Sequence, residues 1–230
     1  MNEFILNNIS FQLELDSLLT KLHIIKESSY ANELANLIAA AQAIAKPKAV
    51  YKVGFIDSKG DDYVVIDGIV LVSRVLRVNL EQANRVFPYV ATCGTELEDW
   101  SRSMDGLLRS YWVDTIKEMA LHSASQALDE HLKDQFRPGR ISRKSPGSLE
   151  DWPLQEQQKL FALLDNTKDA IGVQLTESLV MTPIKSVSGI RFPTEVDFKS
   201  CQLCPRKDCA ERRAPYDETL YDRKYRLRTN

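Results

Sequence analysis

Histidine is scarce in this chain of 230 residues: His23, His122 and His131 are the only three, and none stands in a His-Glu-x-x-His pattern. A histidine-ligated zinc hydrolase is therefore left without its ligands. Nine glycines form no dinucleotide fingerprint, no phosphate loop with Gly-Lys followed by Ser or Thr, and no Gly-x-Ser-x-Gly elbow. Four cysteines are too few for a disulfide scaffold at this length. Long apolar runs are missing as well, since stretches such as Ile69 to Val72 are far too short to span a bilayer, and the N-terminus lacks the basic-then-apolar pattern of an export signal. A cytoplasmic protein is expected, with no membrane partner. Neither sign of charge dominates: 30 basic against 32 acidic side chains leave a net −2, which argues against a chain whose main task is coating nucleic acid or an anionic membrane.

What is present is a hydrophobic content of 43%, enough for a substantial core in one large domain or two small ones. Apolar residues at helical spacing from Tyr30 to Ala45, stopped by Lys46-Pro47, predict an amphipathic helix. Alternation at Tyr51, Val53 and Phe55, a turn at Asp57 to Asp61 and the β-type run Tyr63 to Ile66 predict a hairpin, with a further strand from Ile69 to Arg74. A short helix is expected to start at Asn79, and Phe87 to Thr92 reads as a strand ending at Cys93-Gly94. Thr95-Glu96-Leu97-Glu98 fits a capping box opening a long helical region, whose apolar stripe runs from Leu107 to Leu132 and ends before Arg137-Pro138-Gly139. Arg140 to Asp151 reads as irregular backbone, Leu154 to Leu164 as a helix, and Gly172 to Thr176 and Ser186 to Phe192 as strands. Helices and strands mixed without regular βαβ alternation give an α+β fold.

Three segments carry chemistry. In Arg140 to Ser148, with Lys133 and Arg137 upstream, five basic side chains between 133 and 144 face only Asp134, and Pro146-Gly147 makes a turn at which backbone can approach a ligand. An arginine there can pair with a carboxylate or phosphate. The plainer reading is an exposed basic loop between helices. In Leu175 to Pro183 and Ser186 to Phe192, hydroxyl side chains beside Gly189 could line a polar cleft, and Glu177 could accept hydrogen bonds from an ammonium or a ribose hydroxyl. Ser and Gly in a strand also mark close backbone packing or a bulge. The third is Cys201-x-x-Cys204 followed by Cys209, thiolates spaced to converge on zinc or an iron–sulfur cluster, with Arg206, Lys207, Arg212 and Arg213 favouring ionisation. Cys93 is the one other cysteine and the candidate to close a four-ligand site; the alternative is a set of reduced, unligated thiols.

Arg143-Lys144-Ser145-Pro146-Gly147-Ser148, then Leu175-Thr176-Glu177-Ser178 with Met181 and Pro183, then Ser186-Val187-Ser188-Gly189, resemble in order and spacing the activation (reactivation) domain of cobalamin-dependent methionine synthase. The resemblance extends upstream through Val90 to Glu98 and the long helix, covering roughly residues 85 to 200. The length and cysteine-containing ending look more like a stand-alone version of that domain than the fused one. The resemblance implies a C-shaped antiparallel sheet with long packed helices. It divides the chain into an N-terminal helical and hairpin region (1–84), an activation-domain core (85–200) and a cysteine-containing basic segment (201–230) of one unit.

By the same resemblance, the chain binds S-adenosylmethionine in an extended groove and presents its methyl group to reduced cobalamin carried by a partner methionine synthase or related corrinoid protein. A reductant such as flavodoxin or ferredoxin supplies the electron. Arg143 and the backbone of Ser145, Pro146 and Gly147 are implied to hold the methionine moiety, with Ser148, Glu177, Ser188 and Gly189 also lining the site. The chemistry is then positioning, because strongly nucleophilic reduced cobalt needs no protein base. Two positions depart from the family pattern: Ser148 stands where Arg-x-x-x-Gly-Tyr has tyrosine, and Gln126 where the helix has an acidic residue. They open a second reading, an electron-transfer or docking module in which an iron–sulfur cluster on Cys201, Cys204, Cys209 and Cys93 serves a corrinoid protein and the groove is vestigial.

Overall fold

The computed structural model describes residues 3–195, 198–209 and 212–226. In chain order, β1 (Glu3–Leu6), α1 (Leu15–Leu22) and α2 (Ser29–Ile44) precede β2 (Lys48–Lys52), β3 (Gly54–Lys59), β4 (Tyr63–Ile66) and β5 (Ile69–Val72). Then come α3 (Arg74–Asn79), β6 (Arg85–Thr92), α4 (Thr95–Ser101), α5 (Leu107–Phe136) and β7 (Ile141–Lys144). The last part holds a 3-10 turn (Leu154–Glu156), α6 (Gln157–Leu163), α7 (Thr167–Ile171), the small hairpin β8 (Gln174–Leu175) and β9 (Met181–Thr182), β10 (Ser186–Pro193), a 3-10 turn (Ser200–Leu203) and a π-helical turn (Tyr221–Tyr225).

Eight strands form one antiparallel sheet centred on β6, whose near-continuous apolar sequence fits a strand covered on both faces. One edge of β6 pairs with β10 through Arg191↔Phe87 to Ser186↔Thr92, and β10 pairs onward with β7. Its other edge changes partner, with Val86 and Arg85 opposite β3, and Tyr89 to Thr92 opposite β2. Pro88, which has no N–H to donate, falls in the gap between those two ladders. Strands from the first 84 residues thus share a sheet with β6, β7 and β10. The architecture is mixed α+β, an antiparallel sheet with packed helices.

On one face, Ala124, Leu128 and Leu132 of α5 cover Ala49, Tyr51, Phe87, Tyr89 and Ala91. The opposite face holds Val86, Ile190 and Phe192 with Val75 and Leu76 of α3, Trp152 and Leu160. A third cluster, among α1, α2, α4 and the first half of α5, buries Leu18, Leu34, Ile38, Leu97, Trp112 and Ile116. Helix α5 has 30 residues and so extends about 45 Å, long enough to serve both the helical cluster and the sheet. Among the described residues no helix is long and apolar enough to cross a membrane.

The helix after β5 starts earlier than expected. Ser73 caps it by accepting from the Leu76 amide, and Asn79 is its last residue rather than its cap. The capping box at Thr95 does not form: Gly94 is the N-cap, and the Thr95 hydroxyl instead donates to Glu96 Oε2. The expected long helical region is formed by two helices, α4 and α5, separated around Gly106, whose φ of 89° no L side chain adopts at ease. Across that break Lys117 Nζ donates to Glu98 Oε2 at 2.9 Å and to Ser101 Oγ at 3.0 Å, with both charged side chains buried. Removing one member of a buried pair leaves the other charge uncompensated. Lys117→Met is expected to lower unfolding free energy by about 3 kcal/mol in urea titrations, and a double variant with Glu98→Leu to recover most of that loss.

Candidate functional site

Alternation along β10 sends Val187, Gly189 and Arg191 toward α5, and Ser188 and Ile190 to the opposite face. The Arg191↔Arg143 register puts Arg143 on the α5 side as well, with Ser145 two residues on. Between this sheet margin and α5 lies a cleft of about 580 Å³, within the range that takes a small ligand. Arg143, Ser145 and Val187 line it from the sheet side, Leu121, Gln126 and Asp129 from the helix. A smaller lobe of about 250 Å³ continues past Asp129 and Arg143 toward Phe198 and Lys199. Gln126 and Glu130 are shared with a further depression of about 590 Å³ bordered by residues 5–10 and 12, so polar surface continues over the helix.

Beneath the cleft, Arg191 is fully buried. Its Nε donates to Asp129 Oδ1 at 2.6 Å, its Nη2 to the Ser125 carbonyl at 3.0 Å, and its Cζ stands 4.0 Å from the centre of the Tyr89 ring. Asp129 and Ser125 both line the cleft, so the guanidinium fixes part of its helical wall. Among the described residues, Arg191 Nη1 and the Tyr89 hydroxyl are buried with no hydrogen-bond partner. Asp129 was not anticipated from the sequence. Its signal was indirect, an arginine inside a strand of small and apolar residues, which needs a buried acceptor on whatever packs over it.

Segment 140–151, expected to be irregular, contains β7 and then a type II turn. Pro146 is its second residue, Gly147 its third at φ 75°, and the Ser148 amide donates back to the Ser145 carbonyl at 3.2 Å. The turn consumes its own donors, because Gly147 N–H reaches the Trp152 carbonyl at 2.7 Å and the Ser148 hydroxyl the Ser145 carbonyl at 2.6 Å. The Ser145 hydroxyl therefore stands at the cleft, while Gly147 and Ser148 are exposed beside it without lining it. Gly189 is required by crowding: a Cβ there would sit 2.5 Å from the Lys144 carbonyl oxygen and 2.8 Å from Ser145 Oγ. Lys144 points away from the cleft, where its Nζ donates to Asp151 Oδ2 and Ser73 Oγ, each at 2.6 Å, over the Trp152 ring.

Of the residues expected to bind a cofactor, the structure brings Arg143 and Ser145 together at the cleft, with Gly189 making room behind them. Pro146 and Ser188 are buried, and Ser188 faces away. Glu177 is exposed between β8 and β9 and does not line the cleft.

The expected metal centre is not assembled: among the described residues no group of three or more His, Cys, Asp or Glu side chains could hold a metal ion. Cys93 cannot close such a site, because it is packed against the α2, α4 and α5 core, where burial pushes its thiol up to about 12. Cys201, Cys204 and Cys209 are free thiols in a loop organised by the Arg212 guanidinium. Arg212 donates to the carbonyls of Cys201 (3.1 Å), Cys204 (3.2 Å) and Ala214 (3.2 Å) and also to that of Arg206. Residues 210, 211 and 227–230 of the expected basic C-terminal segment lie outside the described residues.

The model of the protein family described as vitamin B12 dependent methionine synthase, activation domain, matches residues 122–202, which span the second half of α5, β7, the turn and β10. In three dimensions the chain is similar to the crystal structure of the MetH reactivation domain bound to AdoHcy. The TM-score is 0.58 at 14% sequence identity, covering 86% of this chain and 81% of that one. No curated protein matches the sequence. The resemblance read from the motifs is borne out by the family match, and the mixed α+β antiparallel architecture by the fold.

Lys144 gives the region a pH signature. Burial lowers its ammonium to about 8, against the opposing pull of Asp151. In the unfolded chain a lysine holds its proton to about 10.4, so above pH 8 the unfolded state binds more protons and stability rises with pH. Cys93, Tyr51 and Tyr225, each raised by burial to about 12, act in the opposite sense once the unfolded thiol and phenols begin to ionise. Unfolding free energy is expected to climb by about 1 kcal/mol from pH 7 to about 9 and to fall beyond. In Lys144→Met the climb is expected to vanish in denaturant titrations across that range.

Proposed function

We propose that this chain binds S-adenosylmethionine in the cleft between α5 and β7–β10, and presents its methyl group to reduced cobalamin held by a partner in the reactivation of cobalamin-dependent methionine synthase. The observation that carries the reading is the coincidence of two independent features. The stretch matched by the activation-domain family, 122–202, supplies all of the cleft's lining except Leu121 and Arg213, and the cleft has the donors and acceptors the ligand requires. The structurally similar MetH reactivation domain was crystallised with AdoHcy, the demethylated form of the same molecule.

The residues fit the ligand group by group. A carboxylate matches the Arg143 guanidinium, which accepts such groups in a planar fork, and the Ser145 hydroxyl stands two residues along the same strand margin. An ammonium or ribose hydroxyl needs an acceptor, and Asp129 presents a half-exposed carboxylate oriented by Arg191. Gln126, which stands where the family has an acidic residue, lines the same cleft and donates to Glu130 Oε1 at 2.9 Å. Acidic character on this helix face is thus carried three and four residues further along. Leu121 and Val187 supply apolar wall. Ser148 ties the turn to itself and offers no ring to the ligand, so affinity rests on the charged pairs.

S-adenosylmethionine supplies the methyl group, and the partner's reduced cobalamin is the nucleophile that takes it. The chain's own part is to hold the sulfonium in one orientation and keep the amino-acid end anchored, which converts an encounter of three components into an aligned one. A reductant such as flavodoxin or ferredoxin delivers the electron to the partner.

Titration calorimetry with S-adenosylmethionine tests the reading. The folded protein is expected to bind, and Arg143→Ala to bind at least tenfold more weakly, the size of one charge-assisted contact. Absence of heat from the folded protein at millimolar ligand would overturn it.

A further inference from the structure

The Cys201–Ala214 loop, almost all of it beyond the family match, reaches back to the cleft. Arg213 lines both the main cleft and its smaller lobe, each time together with Arg143 and Asp129. Two observations show that its backbone is held there. Arg212, its neighbour, draws four loop carbonyls around one guanidinium. The Arg213 amide donates to Cys201 Sγ at 3.4 Å, and although burial acts to raise the Cys201 thiol, that amide and the arginine's charge hold it below its ordinary value. Of the ring of charged groups around the cleft, Asp129 is already paired with Arg191. Lys133, Arg143 and Arg213 therefore leave the opening with a cationic excess over Glu130, the remaining acid of the lining.

We propose that Arg213 is a ligand-binding residue of this cleft, the second guanidinium which, with Arg143, takes the carboxylate of the amino-acid end of S-adenosylmethionine. The proposal rests on the reading of the cleft given above and adds to it a residue outside the matched stretch. Two guanidiniums on one carboxylate satisfy more of its lone-pair positions than one can, and a cationic pair favours the anionic end of the ligand. The thiol of Cys201 acts through Arg213 as a positioning group, since its acceptor fixes the backbone from which the arginine extends.

Arg213→Ala, Arg213→Gln and the unaltered protein would be titrated with S-adenosylmethionine and with its decarboxylated analogue, with thermal melts confirming that each is folded. The unaltered protein is expected to bind the carboxylated ligand at least tenfold more tightly than the analogue. Both variants are expected to lose at least tenfold toward the carboxylated ligand and less than twofold toward the analogue. Unchanged binding of the carboxylated ligand by the variants would overturn the role of Arg213 while leaving the Arg143 cleft intact. Equal loss toward both ligands would overturn the carboxylate assignment. No binding of either ligand by the folded, unaltered protein would overturn the cleft reading itself, and this proposal with it.

Discussion

A guanidinium with no solvent exposure sets where the long helix meets the sheet. Arg191 projects from the middle of β10 into the space under α5, and taking that charge out of water carries a penalty of several kcal/mol unless its donors are satisfied. Asp129 and the Ser125 carbonyl, one turn apart on α5, satisfy two of them, and the Tyr89 ring accepts the flat face. The geometry admits little freedom: sliding α5 by one residue would remove both acceptors at once. Lysine could not replace this arginine, because a single ammonium cannot reach an acid and a carbonyl in two directions while lying flat on a ring. The consequence for the cleft is direct. The same Asp129 that neutralises the buried charge forms the cleft's helical wall, so the polar surface offered to a ligand is fixed by packing underneath.

The opposite wall depends on alternation in β7. Arg143 and Lys144 are adjacent basic residues with opposite fates, one opening on the cleft and the other sealed against Trp152, Asp151 and Ser73. Lys144 anchors the strand from behind, and Asp151, its partner, also accepts from the Val75 amide at the start of α3. Gly189 completes the arrangement, since any side chain there would push the Lys144 carbonyl and the Ser145 hydroxyl aside. Cleft, turn and far-side core are therefore one mechanical unit spanning both faces of the sheet.

Much of this was legible in the residues. Strongly periodic segments declared themselves, as in α2 and the apolar stripe of α5, and so did the motif Arg143 to Ser148, whose Pro-Gly pair dictates a type II turn. Boundaries were less legible where two local signals compete. Ser73 and Asn79 are both good caps, and only the acceptor geometry with Leu76 decides between them. Thr95 and Glu98 have capping-box spacing, yet Glu98 is drawn inward by Lys117, a contact 19 residues away that no local rule contains. β7 was missed because four residues rich in charge look like a loop until β10 pairs with them. Asp129 was missed for a similar reason: on a helix surface it resembles its solvated neighbours, and its function exists only because Arg191 lies below.

The cysteines show how spacing can mislead when the competing interaction is a side chain of the loop itself. A Cys-x-x-Cys turn followed by a third cysteine has the curvature to gather thiolates on a metal, and that curvature is present here in the 3-10 turn Ser200–Leu203. What closes the loop, however, is Arg212, whose planar set of donors matches its inward-facing carbonyls. With the carbonyls turned inward to Arg212, the Cys201 sulfur is left to accept from Arg213, so the loop's closure is also what directs a second arginine to the cleft.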